Sequence, residues 1–220
     1  MELNRSSHPL TRQEFVAIAE LYLKRPWLID KANAVGDLFE LCKDNKEQAL
    51  ICSLLHRFTF VSGSDLVQRL ESIRQCITET WKLDPENTKL VAANDGTASD
   101  SSEAILWMLK PRFADSDGWV GKNFISKLTV AAKQLVEEND NIVIVDEFVG
   151  TGKQIHRQIT WLKDQLALRG CKPESIYLCT VARHANVQYD IDALVKEFYS
   201  TLTISRGISD FYEAGQIPTE

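Results

Sequence analysis

The residues of this chain whose types and order could do chemistry are concentrated between Asn141 and Gln154, in the run NIVIVDEFVGTGKQ. Two adjacent carboxylates, Asp146 and Glu147, stand just upstream of Gly150-Thr151-Gly152-Lys153-Gln154. Two glycines let the backbone turn sharply and aim successive N–H groups into one concavity, and a helix starting there adds partial positive charge. Such a nest binds a phosphate. Thr151 adds a hydroxyl, Lys153 an ammonium and Gln154 an amide, while the acidic pair suits the diol of a ribose or a magnesium ion attached to it. The expected ligand is a phosphoribosyl group or a nucleotide phosphate. In the plainer alternative the glycines only shape a strand-to-helix turn, with Asp146 capping and Glu147 solvated.

Two other phosphate loops fail on spacing. A nucleoside triphosphatase loop needs glycine where Glu147 stands and Ser or Thr where Gln154 stands. A dinucleotide fingerprint needs a further glycine near His156.

The elements that must hold this segment divide into two textures. From Thr11 to Leu83 apolar residues recur at helical spacing, as in Phe15, Ile18, Ala19 and Tyr22 or Leu66, Leu70, Ile73 and Ile77, which predicts four helices. After Asp84-Pro85, short β-rich runs alternate with helices, the pattern of a parallel sheet with crossovers. Strands are expected at Lys89–Ala93, Asn141–Asp146, Ser175–Val181 and Phe198–Ile204. Helices are expected at Asp100–Leu109, Ile125–Val136 and over Ile155, Ile159, Leu162 and Leu166. The fold class is therefore α/β, with an α-helical region at 1–84 and the sheet domain at 85–220. Ile142 to Val145 are four β-branched residues in succession, as expected of a central strand covered on both faces.

With these residues in view, IVIVDEFVGTGKQ resembles the phosphoribosyl-pyrophosphate loop of type I phosphoribosyltransferases, departing from it at Gln154, where Thr or Ser is usual. The resemblance implies that Asp146 and Glu147 contact the ribose hydroxyls, and magnesium indirectly, and act in catalysis. It implies also that Gly150, Thr151, Gly152 and Lys153 hold the 5′-phosphate. The family's pyrophosphate loop would fall at Asn94-Asp95-Gly96-Thr97, but NDGTASDSS carries two acids and no Lys or Arg. Gly150 occupies the position where some purine-using members have a base-contacting Asp. The DEFVGTGKQ wording, with N-terminal helices in place of the usual hood, is similar to phosphoribosyltransferase-like domains of bacterial conflict and anti-phage systems. Two functions follow: phosphoribosyl transfer, or a degenerate sensor, effector or adaptor that binds a nucleotide and docks a protein partner through its N-terminal helices.

Further ligand contacts are expected from Asn94, Asp95, Gly96, His156 and Arg183; His184 and Arg206-Gly207 also follow strands at the ligand-binding edge. Trp107 and Trp161 read as core or interface anchors on amphipathic helices, and the loop around Trp119, with Gly118 and Gly121, reads as a lid or as a plain surface excursion. A net charge of −6 argues against a general nucleic-acid coat or an anionic membrane surface. Cys42, Cys52, Cys76, Cys171 and Cys179 form no CxxC pair and read as reduced thiols. The start has no apolar leader run, and a cytoplasmic location is expected.

Overall fold

The computed structural model of the protein describes residues 12–96, 101–135, 140–171, 175–208 and 210–211. These fall into two compact units, one running from Val61 to Ser205 and the other made of the residues before and after it.

The larger unit is built on strands β1 (Thr88–Ala92), β2 (Phe124–Ile125), β3 (Asn141–Val149), β4 (Ser175–His184), β5 (Glu197–Ser200) and β6 (Thr203–Ile204). All pairings are parallel, in the order β2-β1-β3-β4-β5, with β6 continuing alongside β4. Continuous apolar runs suit strands covered on both faces. Ile142 and Ile144 of β3 pack with Ile155, Ile159, Leu162 and Leu166 of α7 (Lys153–Leu168). Val143 and Val145 point the other way, into Leu70 and Ile73 of α4 (Gly63–Gln75) and Ile105, Leu106 and Leu109 of α5 (Ser101–Leu109). Each such side chain contributes about 1.5–3 kcal/mol on full burial. In this division α4 goes with the sheet, and a reciprocal box between Ser62 and Asp65 caps its start.

The chain leaves β1 towards β2 on one side and returns with β3 on the other. The loops that follow β1 and β3 therefore diverge at the carboxyl edge and open a crevice, the place where open α/β sheets take ligands.

Several elements differ from the sequence reading. The helix expected over Ile125–Val136 begins only at α6 (Leu128–Val130) and runs on to Leu135; Phe124 and Ile125 are strand, paired with Leu90 and Val91 of β1. Ile125, Leu128 and Ala132 keep helical spacing although a strand ends between them, which is why periodicity alone misplaces the start. The expected last strand is two, β5 and β6, because β4 runs on to His184 and pairs with them in succession. Arg183 and His184 are thus the last strand residues, not loop residues. Trp107 is 79% exposed and is no core anchor, whereas Trp161 packs on the core. The excursion around Trp119 is tied down at the amino edge of the sheet, so it is not a lid over the carboxyl edge. Asn123 is buried there and donates to the carbonyls of Pro85 (2.6 Å) and Thr88 (2.9 Å), while Trp119 packs on Phe113. A fuller side chain at Gly118, with φ +82°, would meet Pro85 Cγ at 2.7 Å.

The smaller unit holds α1 (Arg12–Lys24), α2 (Ala32–Glu40) and α3 (Asn45–Arg57), with a 3₁₀ turn at Pro26–Lys31. Leu21, Leu28, Val35 and Phe39 form its core. Arg25 donates to the His56 carbonyl (2.9 Å from Nε), and Trp27 stacks on Phe60 at 5.0 Å. All five cysteines are free thiols. Burial pushes the Cys76 thiol up to about 11 and Cys179 well above the ordinary range, so both stay protonated and unreactive near neutral pH.

Candidate functional site

β3 carries the acidic pair rigidly because its last residues remain in the ladder: Asp146 pairs with Thr180, Phe148 with Ala182 and Val149 with Arg183. Asp146 is half-buried, and its Oδ1 accepts the Glu147 amide at 2.8 Å. Asp146 lines a cavity of about 260 Å³ together with Phe148 and the loop from Val149 to Ile155. Glu147 is exposed and is not among the residues lining it.

Buried Val149 and Ile155 pin the two ends of the loop, so the residues between them must turn within a short span. Gly152 makes that turn at φ +87°, where an added Cβ would meet Val187 Cγ1 at 2.7 Å, so only glycine fits without a shift. The Thr151 carbonyl accepts from the amides of Gln188 (2.9 Å) and Tyr189 (3.2 Å). Because the peptide is planar and trans, that pull turns the Gly152 N–H the opposite way. Among the described residues the amides of Thr151, Gly152, Gln154 and Ile155 meet no acceptor, and that of Lys153 has only a long contact to Thr151 Oγ1 (3.4 Å). A row of open N–H groups at the start of a 16-residue helix is an arrangement chemically able to receive an anion.

The segment that takes up the Thr151 carbonyl lines a second cavity of about 280 Å³, with Arg183, Gln188, Tyr189, Asp190 and Phe198 in its wall. Arg183 lies over the Phe198 ring at 5.2 Å and faces this second cavity, not the first. His156 is half-buried in the first turn of α7, 5.4 Å from the Tyr189 ring.

The loop after β1 is made otherwise. Asn94 is buried, its Oδ1 accepts the Gly96 amide (2.6 Å) and its carbonyl accepts Leu128 N (2.8 Å). Asp95 is half-exposed, and the rest of the acidic loop, residues 97–100, lies outside the described residues. Arg206 and Gly207 belong to the other unit, where the Arg206 amide donates to Asp210 (2.7 Å).

Sequence reasoning missed Gln158. It is 4% exposed, and its Nε2 donates to the Ala93 carbonyl at 2.7 Å, tying α7 to the end of β1. The available signal was a polar residue in the apolar face shared with Ile155, Ile159 and Leu162.

The parallel sheet with flanking helices has a phosphoribosyltransferase-like fold. Among solved structures, the HGPRT-ase of Leishmania tarentolae in complex with GMP matches at a TM-score of 0.50 and 19% identity, over 68% of this chain and 82% of that one. The hypoxanthine-guanine phosphoribosyltransferase of Schistosoma mansoni in complex with IMP matches at 0.45 and 13%, over 68% and 69%. The sequence pattern of the PRTase-CE family covers residues 39–213, and the chain belongs to that family. No curated protein matches it. No helix among the described residues is long and apolar enough to cross a membrane.

Proposed function

We propose that the chain binds phosphoribosyl pyrophosphate or a ribonucleotide through its DEFVGTGK loop. The observation that carries this reading is the row of amides from Thr151 to Ile155, open except for the long Lys153 contact to Thr151 Oγ1, set beside the half-buried carboxylate of Asp146. The 5′-phosphate sits on those amides with Thr151, Lys153 and Gln154, and the sugar hydroxyls face Asp146 and Glu147. The group attached to the sugar's anomeric carbon extends into the neighbouring cavity beside Arg183 and Tyr189. Among the described residues no three His, Cys, Asp or Glu side chains cluster as a metal site. Two adjacent carboxylates still fit magnesium that arrives on the ligand, because magnesium keeps several waters and shares itself with phosphates. When bound, it supplies charge neutralisation to the phosphates. In a transfer reaction Asp146 and Glu147 hold the ribose while its ring gains positive charge, and no covalent nucleophile is required. Asp146→Asn combined with Glu147→Gln is expected to abolish turnover and to weaken phosphoribosyl pyrophosphate binding in calorimetry; unchanged kinetics would sink the reading.

A second reading is favoured by the loop after β1, where the Gly96 amide is already satisfied by Asn94 and residues 94–96 offer no Lys or Arg. Here the domain is a nucleotide sensor or effector of a bacterial anti-phage system, acting in the cytoplasm and docking its partner through the N-terminal helices. A purine nucleoside monophosphate, the kind of ligand held by the Leishmania enzyme, is the first compound to try. Monophosphate binding without any release of pyrophosphate from the activated sugar selects this reading. Pyrophosphate release stimulated by a nucleobase selects transfer.

A further inference from the structure

The register of the sheet brings a second buried polar group to the site. At the carboxyl edge Asp146 of β3 lies opposite Thr180 of β4, and Thr180 lies opposite Ser200 of β5. Ile176 and Leu178 of β4 pack in one cluster with Ile142 and Ile144 of β3 and with Ile155 and Ile159 of α7. Side chains alternate along a strand, so Asp146 and Thr180 continue that face and stand side by side on it.

Thr180 is 0% exposed, and its Oγ1 meets no hydrogen-bond partner among the described residues. A hydroxyl buried in this way costs stability that valine, of nearly the same shape, does not. Packing alone therefore does not account for the hydroxyl. Two polar neighbours share its row. The Ser200 hydroxyl already donates to the Leu202 carbonyl at 3.0 Å. Asp146 lines the cavity in front of the phosphate loop, and its Oδ1 accepts the Glu147 amide at 2.8 Å. A carboxylate offers about four lone-pair sites, so that bond leaves room for a second donor. Adjacent strands are about 4.8 Å apart, a span that a hydroxyl and a carboxylate on facing Cβ atoms close by rotation about χ1. Of the two neighbours, the ionised carboxylate is the stronger acceptor.

We propose that Thr180 is a positioning residue for the sugar: its Oγ1 donates to the Asp146 carboxylate in the ligand-bound site and fixes the orientation in which that carboxylate accepts the ribose hydroxyls. The proposal rests on the reading of the loop as a phosphoribosyl or nucleotide site. Donation to the charged form also favours the ionised state of Asp146. Wholly buried, Thr180 touches no ligand and acts through Asp146 alone.

Calorimetry tests it with two probes. One is whichever of GMP and phosphoribosyl pyrophosphate binds the wild type more tightly, since both bring a 5′-phosphate and a ribose diol; the other is inorganic phosphate, which brings no diol. Thr180→Val is expected to weaken the ribose ligand about ten-fold, the scale of one hydrogen bond to a charged group, and to leave inorganic phosphate unchanged. Its melting temperature is expected to rise by about 2–4 °C, the reverse of what loss of a structural hydroxyl brings. Thr180→Ser is expected to bind as the wild type does. In an Asp146→Ala background Thr180→Val is expected to change nothing further, because the bond it removes is already gone. If the valine variant does not fold, Thr180→Ser and Thr180→Ala, which both lack the methyl group, are expected to differ in the same sense. Equal affinity of wild type and Thr180→Val for the ribose ligand, an equal loss for both probes, or a full additional loss in the Asp146→Ala background overturns the proposal and leaves the reading of the loop intact. A wild type that binds neither GMP nor phosphoribosyl pyrophosphate overturns that reading, and this proposal with it.

Discussion

The loops that leave β1 and β3 start from neighbouring strands at the same height, with Ala92 opposite Val145, and each uses a glycine at positive φ, Gly96 at +90° and Gly152 at +87°. They put the same turn to opposite use. After β1 the turn closes on itself: the buried Asn94 side chain accepts the Gly96 amide, and its carbonyl is taken by Leu128. After β3 the Thr151 carbonyl is drawn outward to Gln188 and Tyr189, and the amides that follow are left open. Whether such a loop binds an anion is decided by where the neighbouring acceptors go. A buried Asn beside the glycine consumes the donor; a distant segment that captures the carbonyl exposes it.

The sharpest way to break this contrast is at Gly152. Gly152→Ala forces a side chain into a positive φ and against Val187, and is expected to cost about 2 kcal/mol in urea unfolding. It should also remove measurable binding of a nucleoside monophosphate in calorimetry. Normal affinity in that variant would mean that the open amides are not the seat. Next in size, Lys153→Ala leaves the amides in place and removes one charge, so binding is expected to fall about ten-fold at low salt and less at high salt. Gln158→Leu strips the Ala93 carbonyl of its buried donor and is expected to cost about 1–2 kcal/mol of stability. Its effect on phosphate affinity should be smaller than that of Lys153→Ala, because it acts on the β1 side.

How much of this could be read from the sequence follows the range of the interactions. Ile142 to Val145, the acidic pair and the glycines are local signals, and the structure places them as a buried central strand running into a turn at a helix start. The spacing of Ile125 to Leu128 and Ala132 fits a helix; its strand state depends on Val91, far away in the chain. The same holds for the single last strand. Phe198 to Ile204 looks continuous, but its pairing is set by the length of β4, whose end at His184 is a tertiary fact. At the site, Gln188 and Tyr189 were invisible because they act through backbone amides, which no side-chain pattern reports. Gln158 is legible in principle, as a polar residue on the apolar helix face it shares with Ile155, Ile159 and Leu162.

The smallest expected effect tests the other arm of the comparison. Asp95→Lys gives the β1 loop the basic residue that the resembled family uses for pyrophosphate, while leaving the Asn94–Gly96 bond untouched. Asp95 is half-exposed, so the charge reversal acts through screened electrostatics and should change affinities by only about two- to five-fold. If the two loops are independent, phosphoribosyl pyrophosphate binds somewhat more tightly at low salt and the nucleoside monophosphate is unaffected. The selective gain would mean that the β1 loop still lies within reach of a pyrophosphate and lacks only the charge. No gain for either ligand would mean that the turn closed by Asn94 takes no part in binding, which makes the contrast between the loops complete. An equal gain for both ligands would break it, because the β1 loop would then be acting on the phosphate held at Gly152.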